Sequence, residues 1–99
     1  MNYTIRTTAI FDDWLSSIKD KKTRYRLDAR FDRILEGHFG DYKSIATNLY
    51  ELRCFFAGGL RIYFTIHEET VVILMCAGNK ASQSRDIKRA HQLLMQLRD

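Results

Sequence analysis

The chain has 99 residues, 45% of them hydrophobic and 28% charged, with a formal net charge of +4 and a pI of about 9.3. That length allows one domain over residues 1–99 with one modest core, and it excludes a deep, multilayered catalytic cavity, so any active site is expected to be an open groove. The apolar content excludes a disordered chain, while the basic excess is compatible with a polyanionic partner such as nucleic acid.

Residues 2–7, "NYTIRT", alternate around Tyr3, Ile5 and Thr7 and predict a short strand, after which Thr8 can cap a helix. Ile10, Phe11, Trp14, Leu15 and Ile18 recur at spacings of three and four, which predicts a helix over residues 10–18 with one apolar face. After the polar turn "KDKK", a second helix is expected from Thr23 to about Glu36, with Leu27, Phe31, Ile34 and Leu35 on one side, Thr23 as its cap and Gly37 as its stop. The short link makes an antiparallel helical hairpin. Residues 38–48, "HFGDYKSIATN", have little periodicity and read as a loop. Three strands follow. "LYELRCFF" leads through "AGG" into "LRIYFTIH", and "EET" turns that strand into "VVILMCA". The last run is apolar at every position and is expected to lie centrally, buried on both faces. "GNKASQ" breaks the pattern, and a final helix runs from Ser82 or Ser84 to about Leu97, with Ile87, Ala90, Leu94 and Leu97 at helical spacing. The expected fold is a small α+β domain of order β-α-α-β-β-β-α, with a mostly antiparallel sheet and the helical hairpin on one face.

Cys54 and Cys76 both lie in apolar runs without CxxC spacing, so two buried thiols in a reducing compartment are expected rather than a zinc site or a disulfide. The N-terminus lacks the basic-then-apolar pattern of a signal peptide, and no apolar run approaches the roughly 20 residues of a membrane span, so a cytoplasmic protein without membrane contact is expected. "AGNKAS" lacks the spacing of a phosphate-cradling P-loop, no His, Cys, Asp and Glu set has ligand spacing, and neither metal nor cofactor is expected.

The chemistry is expected on the hairpin. In "LRIYFTI" the side chains of Leu60, Ile62, Phe64 and Ile66 point to one face, and Arg61 and Tyr63 to the other. Glu51 and Arg53 share a face of the preceding strand, and Lys80 follows the apolar strand in a loop before a helix N-terminus, where exposed amides favour anions. Arg53, Arg61 and Lys80 are therefore expected to converge, with Tyr63 among them. Such a cluster suits a phosphodiester, because fixed cations stabilise the charge that grows as a 2′-hydroxyl attacks the phosphate. For the proton transfers, Tyr63, Glu51, Asp86, His67 and His91 are all candidates. The seven basic residues from Lys19 to Arg33 alternate with Asp20, Asp28 and Asp32 and read chiefly as a solvated helix face.

The segments "LYELR", "GGLRIYF" and "VVILMCAGNKASQSRDIKRA", from about Leu49 to Ala90, resemble the RelE/ParE superfamily of bacterial toxins, most closely its HigB-like addiction-module killer proteins. The resemblance implies a type II toxin: a ribosome-dependent mRNA endoribonuclease that needs no metal and leaves a 2′,3′-cyclic phosphate and a 5′-hydroxyl. It implies, as partners, the ribosome and mRNA, a HigA-like helix-turn-helix antitoxin, and operator DNA reached through that antitoxin. In RelE-like members basic residues match Arg53, Arg61 and Lys80. A tyrosine of the final helix is replaced near Asp86, so Tyr63, Asp86 or Gln83 must contribute, or protonation falls to water or the ribosome. A strand lysine of some members is Glu51 here. The ParE branch, which poisons DNA gyrase, and a non-toxic RNA- or protein-binding domain share the fold and stand as alternatives.

Overall fold

The computed structural model describes residues 2–97, and the chain runs β1 (Thr4–Thr7), α1 (Ala9–Ser17), α2 (Lys21–Leu35), β2 (Tyr42–Ala46), β3 (Leu49–Cys54), β4 (Leu60–His67), β5 (Val71–Asn79) and α3 (Gln83–Leu97). The strands form a five-stranded sheet in the order β1-β5-β4-β3-β2, antiparallel except for the parallel pair β1–β5. The expected α+β class and element order hold, with one strand added.

That strand is β2, which lies in the segment expected to be a loop. Its residues YKSIA are mostly exposed, and it is the sheet's outer edge, where a polar strand blunts further pairing. It carries too little apolar alternation to show in the sequence. The helix starts also follow local hydrogen bonding. Thr8 caps α1 as expected: its hydroxyl oxygen accepts from the Phe11 N–H at 3.1 Å and its hydroxyl donates to the Met75 carbonyl. The cap of α2 is Asp20 rather than Thr23. Its carboxylate accepts from both the backbone N–H and the hydroxyl of Thr23, which lowers its pKa, and the helix begins at Lys21. Gly37, with φ 89°, ends α2: its N–H donates to the Ile34 carbonyl and that of His38 to the Arg33 carbonyl.

The alternation of β3 and β4 sorts side chains onto two faces. Toward α1 and α2, Leu52, Cys54, Leu60, Ile62, Phe64, Val72 and Leu74 pack with Phe11, Leu27 and Ile34. Toward α3, Leu49, Tyr63, Met75 and Cys76 pack with Ala90 and Leu93. A register shift in β5 opposite Tyr63 and Phe64 carries that strand from one alternation to the other. Cys54 and Cys76 are free and buried in the two separate cores. Burial pushes both thiols up, that of Cys76 to about 12. Among the described residues, no helix is long and apolar enough to cross a membrane.

Candidate functional site

Two rows of side chains cross the α3 face of the sheet. In the first, Lys43 of β2 lies opposite Glu51 of β3, Glu51 opposite Tyr63 of β4, and Tyr63 opposite Cys76 of β5. In the second, Arg53 lies opposite Arg61, and Arg61 opposite Gly78. The sequence left the hairpin register open; the chain reverses over Phe55–Gly59, with Ala57, Gly58 and Gly59 at positive φ, and brings the two arginines face to face.

Glu51 is the centre of this surface and is fully buried. An unpaired carboxylate there would cost several kcal/mol, so its donors are decisive. Oε2 accepts from the Tyr63 hydroxyl at 3.0 Å and from Gln83 Nε2 at 2.9 Å, and Oε1 accepts from Arg53 Nε at 3.3 Å. Burial pushes its pKa up, but the hydrogen bonds from Gln83, Tyr63 and Arg53 outweigh that and hold it below the usual carboxylate value. Glu51 is therefore an anion that anchors its neighbours. Arg61 Nε lies 3.8 Å from Oε2, too far for a hydrogen bond, and is buried without one. The terminal guanidinium nitrogens of Arg53 and Arg61 have no hydrogen-bond partner among the described residues, and their side chains keep 35% and 19% exposure. Those nitrogens are free to meet an external anion.

Tyr63 was expected to stand among the exposed cations, but it is fully buried. Burial first, then its hydrogen bond to Glu51, push its pKa well above the usual phenol value. Its hydroxyl holds Glu51 in place and does not face solvent. Gln83, in the first turn of α3, joins the network from above. Asp86, one turn on, is buried and accepts from the Ser82 hydroxyl at 2.5 Å. A Cβ at position 78 would collide with Asp86 and Ser82, so Gly78 is what lets α3 start directly on the sheet. Lys80 is exposed just past β5, at the same end of the sheet as Arg53 and Arg61, but no ion pair or hydrogen bond ties it to them. The register thus sets the two arginines opposite each other and leaves Lys80 at the same end of the sheet without a contact to them. His67 is exposed at the far end of β4, 3.4 Å from Glu68, and His91 is exposed on α3.

Three contributors escaped the sequence reading. Arg30 leaves the solvated face of α2, donating from Nη1 to the Arg53 carbonyl at 2.9 Å and from Nη2 to the Phe39 carbonyl at 3.0 Å, so it pins the strand end that carries Arg53. Lys43 lies across from Glu51, and its charge helps to lower that residue's pKa. Phe55, at the start of the hairpin loop, is 82% exposed beside the two arginine-bearing strands.

Comparison with known proteins places this geometry. Residues 13–95 match the family model described as phage derived protein Gp49-like. A protein of Haemophilus influenzae, itself described as uncharacterized, is 39% identical over 97 residues, covering 98% of each chain. Among solved structures, a free-state mutant of the E. coli toxin RelE aligns with a TM-score of 0.69 at 19% identity, covering 90% of this chain and 98% of RelE. A chain of the intact E. coli RelBE toxin-antitoxin complex aligns at 0.62 and 15% identity, covering 78% and 95% respectively. The likeness to these structures is one of fold.

Proposed function

The chain belongs to the Gp49-like family of phage derived proteins, and from that premise, with its RelE-like fold, we propose that it is the toxin of a type II toxin–antitoxin pair and cuts mRNA on the ribosome. The observation that carries this reading is the pair Arg53 and Arg61, directly opposed on one hairpin with their terminal nitrogens unengaged. Glu51 holds Arg53 by a hydrogen bond and attracts Arg61 across 3.8 Å, so both guanidiniums are preorganised, and each matches phosphate oxygens with parallel hydrogen bonds. In the reaction the 2′-oxygen bonds to phosphorus and the bond from phosphorus to the 5′-oxygen breaks. The negative charge that builds up on the equatorial oxygens is then met by cations already in position, which favours the transition state over the bound substrate.

In this reading Arg61 and Arg53 contact the scissile phosphate and Lys80 the adjoining backbone. Glu51, with Tyr63 and Gln83 bonded to it, anchors the arginines, and Asp86 fixes the start of α3. The 2′-proton leaves to water or a ribosomal group, and the 5′-oxygen is protonated from the same sources, because the Tyr63 proton is held in the Glu51 hydrogen bond. Phe55 adds an exposed ring on which a base can stack. The HigB-like branch, a helix-turn-helix antitoxin that inhibits the protein and binds their shared operator, and a cytoplasmic site of action complete the proposal.

Induced expression followed by primer extension on a translated reporter tests it. New ends inside codons, absent with Arg61→Ala, are the expected result. Growth arrest with a DNA-damage response and intact transcripts would overturn the nuclease in favour of a gyrase poison, and no effect on growth or RNA would leave a non-toxic binding domain.

A further inference from the structure

Arg53 and Arg61 face each other, but their backbones are held in different ways. Arg61 lies between β3 and β5 and is paired with both, opposite Arg53 on one side and Gly78 on the other. Arg53 stands where the sheet runs out. Its N–H donates to the Asp41 carbonyl at 2.8 Å, so its backbone groups point toward β2, and its pair with Arg61 is one that exchanges no backbone bonds. β2 begins only at Tyr42, opposite Leu52, so no strand residue stands across from the Arg53 carbonyl. Arg30 of α2 supplies the donor instead. Its Nη1 bonds the Arg53 carbonyl at 2.9 Å and its Nη2 the Phe39 carbonyl at 3.0 Å, so one planar guanidinium bridges the end of β3 to the loop that leads into β2. Gly40, with φ 72°, leaves room for it: a Cβ there would lie 3.0 Å from Nη2. One turn earlier on α2, the Arg26 guanidinium lies over the ring of Phe56, 5.7 Å from its centroid, so the helix also holds the start of the hairpin loop.

We propose that Arg30 is the positioning residue for Arg53: by completing the bonding of the strand end, it sets where the Arg53 guanidinium meets a phosphate, and it touches no phosphate itself. This rests on the reading of the arginine pair as the phosphate contact. Glu51 holds the Arg53 side chain by a 3.3 Å hydrogen bond, but a side chain is placed only as well as the backbone that carries it. β3 ends at Cys54, and the chain leaves through Ala57, Gly58 and Gly59, all at positive φ. A strand end followed by such a loop frays unless its last carbonyls are bonded. Both terminal nitrogens of Arg30 are engaged by carbonyls, whereas those of Arg53 and Arg61 are not engaged by any described residue. Arg30 thus has the geometry of a support, and the arginine pair that of a contact. Arg61, held within the ladder on both sides, does not depend on this support, so loss of Arg30 should separate the two arginines.

The test follows the side-chain Nε–H signals of Arg53 and Arg61 in the isotopically labelled full chain as inorganic phosphate is added, beside cleavage of a translated transcript. Arg30→Met keeps the alkyl stem and removes the donors, and Arg30→Lys keeps the charge without the fork. In both variants the phosphate-induced shift of Arg53 should shrink while that of Arg61 is unchanged, and cleavage should fall about 10- to 100-fold, the scale of a slightly displaced contact. Arg30→Met combined with Arg53→Ala should cleave no worse than Arg53→Ala alone, whereas Arg30→Met should deepen the loss caused by Arg61→Ala. Full activity in Arg30→Lys would make Arg30 a simple charge contact and overturn the proposal. An unchanged Arg53 response, an equal weakening at both arginines, or no phosphate response at Arg53 in the wild type would overturn it as well. A wild-type chain that binds phosphate at both arginines but cuts no transcript would overturn the nuclease alone, and the phosphate response would still decide the role of Arg30.

Discussion

The two faces of the sheet are built on different principles. Beneath α1 and α2 the core is aliphatic and aromatic, with Phe11, Leu27, Ile34, Ile62 and Phe64 all fully buried and Tyr50 and Phe39 each stacked with Phe64, ring centroids 5.3 and 5.5 Å away. Beneath α3 the packing is interrupted by an ionised carboxylate and by a phenol that is equally inaccessible, with two guanidiniums at its margin. Apolar burial is non-directional and tolerates repacking. A buried ion is directional: it holds its donors at fixed positions, and it costs stability if any is lost. Both faces carry buried apolar clusters, but the one under α3 adds a buried anion that holds a cationic surface still.

The largest effect should come from the apolar face. Phe64→Ala removes a fully buried ring from the centre of β4 and should cost about 3–5 kcal/mol, measured by urea denaturation. Because Phe64 points away from the arginines, the fraction that remains folded should cleave RNA at the normal rate; a parallel loss of specific activity would show that the two faces are coupled.

Arg61→Ala should do the reverse. Cleavage should fall about 10²-fold, or about 2.7 kcal/mol, the scale of losing one preorganised charge contact. The unfolding midpoint should move less than in Phe64→Ala. If cleavage survives, the phosphate contacts lie elsewhere.

The division between faces was visible in the alternation of "LRIYFTI", and the pairing of Arg53 with Arg61 needed only the hairpin register. Much of the rest was not readable, for physical reasons. The burial of Glu51 depends on Gln83, 32 residues away in sequence, and a contact of that range leaves no local period. β2 is an edge strand whose polar residues look like loop. Thr23 looks like a cap, but Asp20, three residues earlier, takes the position because its carboxylate reaches two donors of Thr23. Arg30 sits in a helix face of alternating charges that otherwise belongs to solvent, and only the approach of β3 sets it apart. "CFF" reads as core, yet Phe55 lies outside it because β3 ends at Cys54.

Glu51→Gln tests the polar face by itself. It keeps the shape but removes the charge, and its amide meets donors with a donor, so a loss of about 1–3 kcal/mol is expected. The pH dependence gives the sharper reading. The folded pKa of Glu51 lies below its ordinary value of 4.5, so its ionised form contributes stability that is complete above that value. That contribution is lost as pH falls from there through the lower folded pKa. Wild-type protein should lose stability across this acid range, and Glu51→Gln should lose less. Equal acid sensitivity would mean that other carboxylates govern the response and that Glu51 is not the anchor.

The smallest effect concerns the hairpin that joins the two kinds of region. Phe55 is exposed, so truncating it should leave the unfolding midpoint unchanged. If its ring stacks on a base, Phe55→Ala should weaken binding to ribosome-bound mRNA by about 1 kcal/mol, the low end for a single stack. The loss should persist at high salt, because stacking releases no counterions, whereas the contribution of Lys80 should shrink as salt rises. A Phe55→Ala defect that fades with salt would assign the ring to shaping the loop around the arginines, and would leave recognition of the RNA to charge alone.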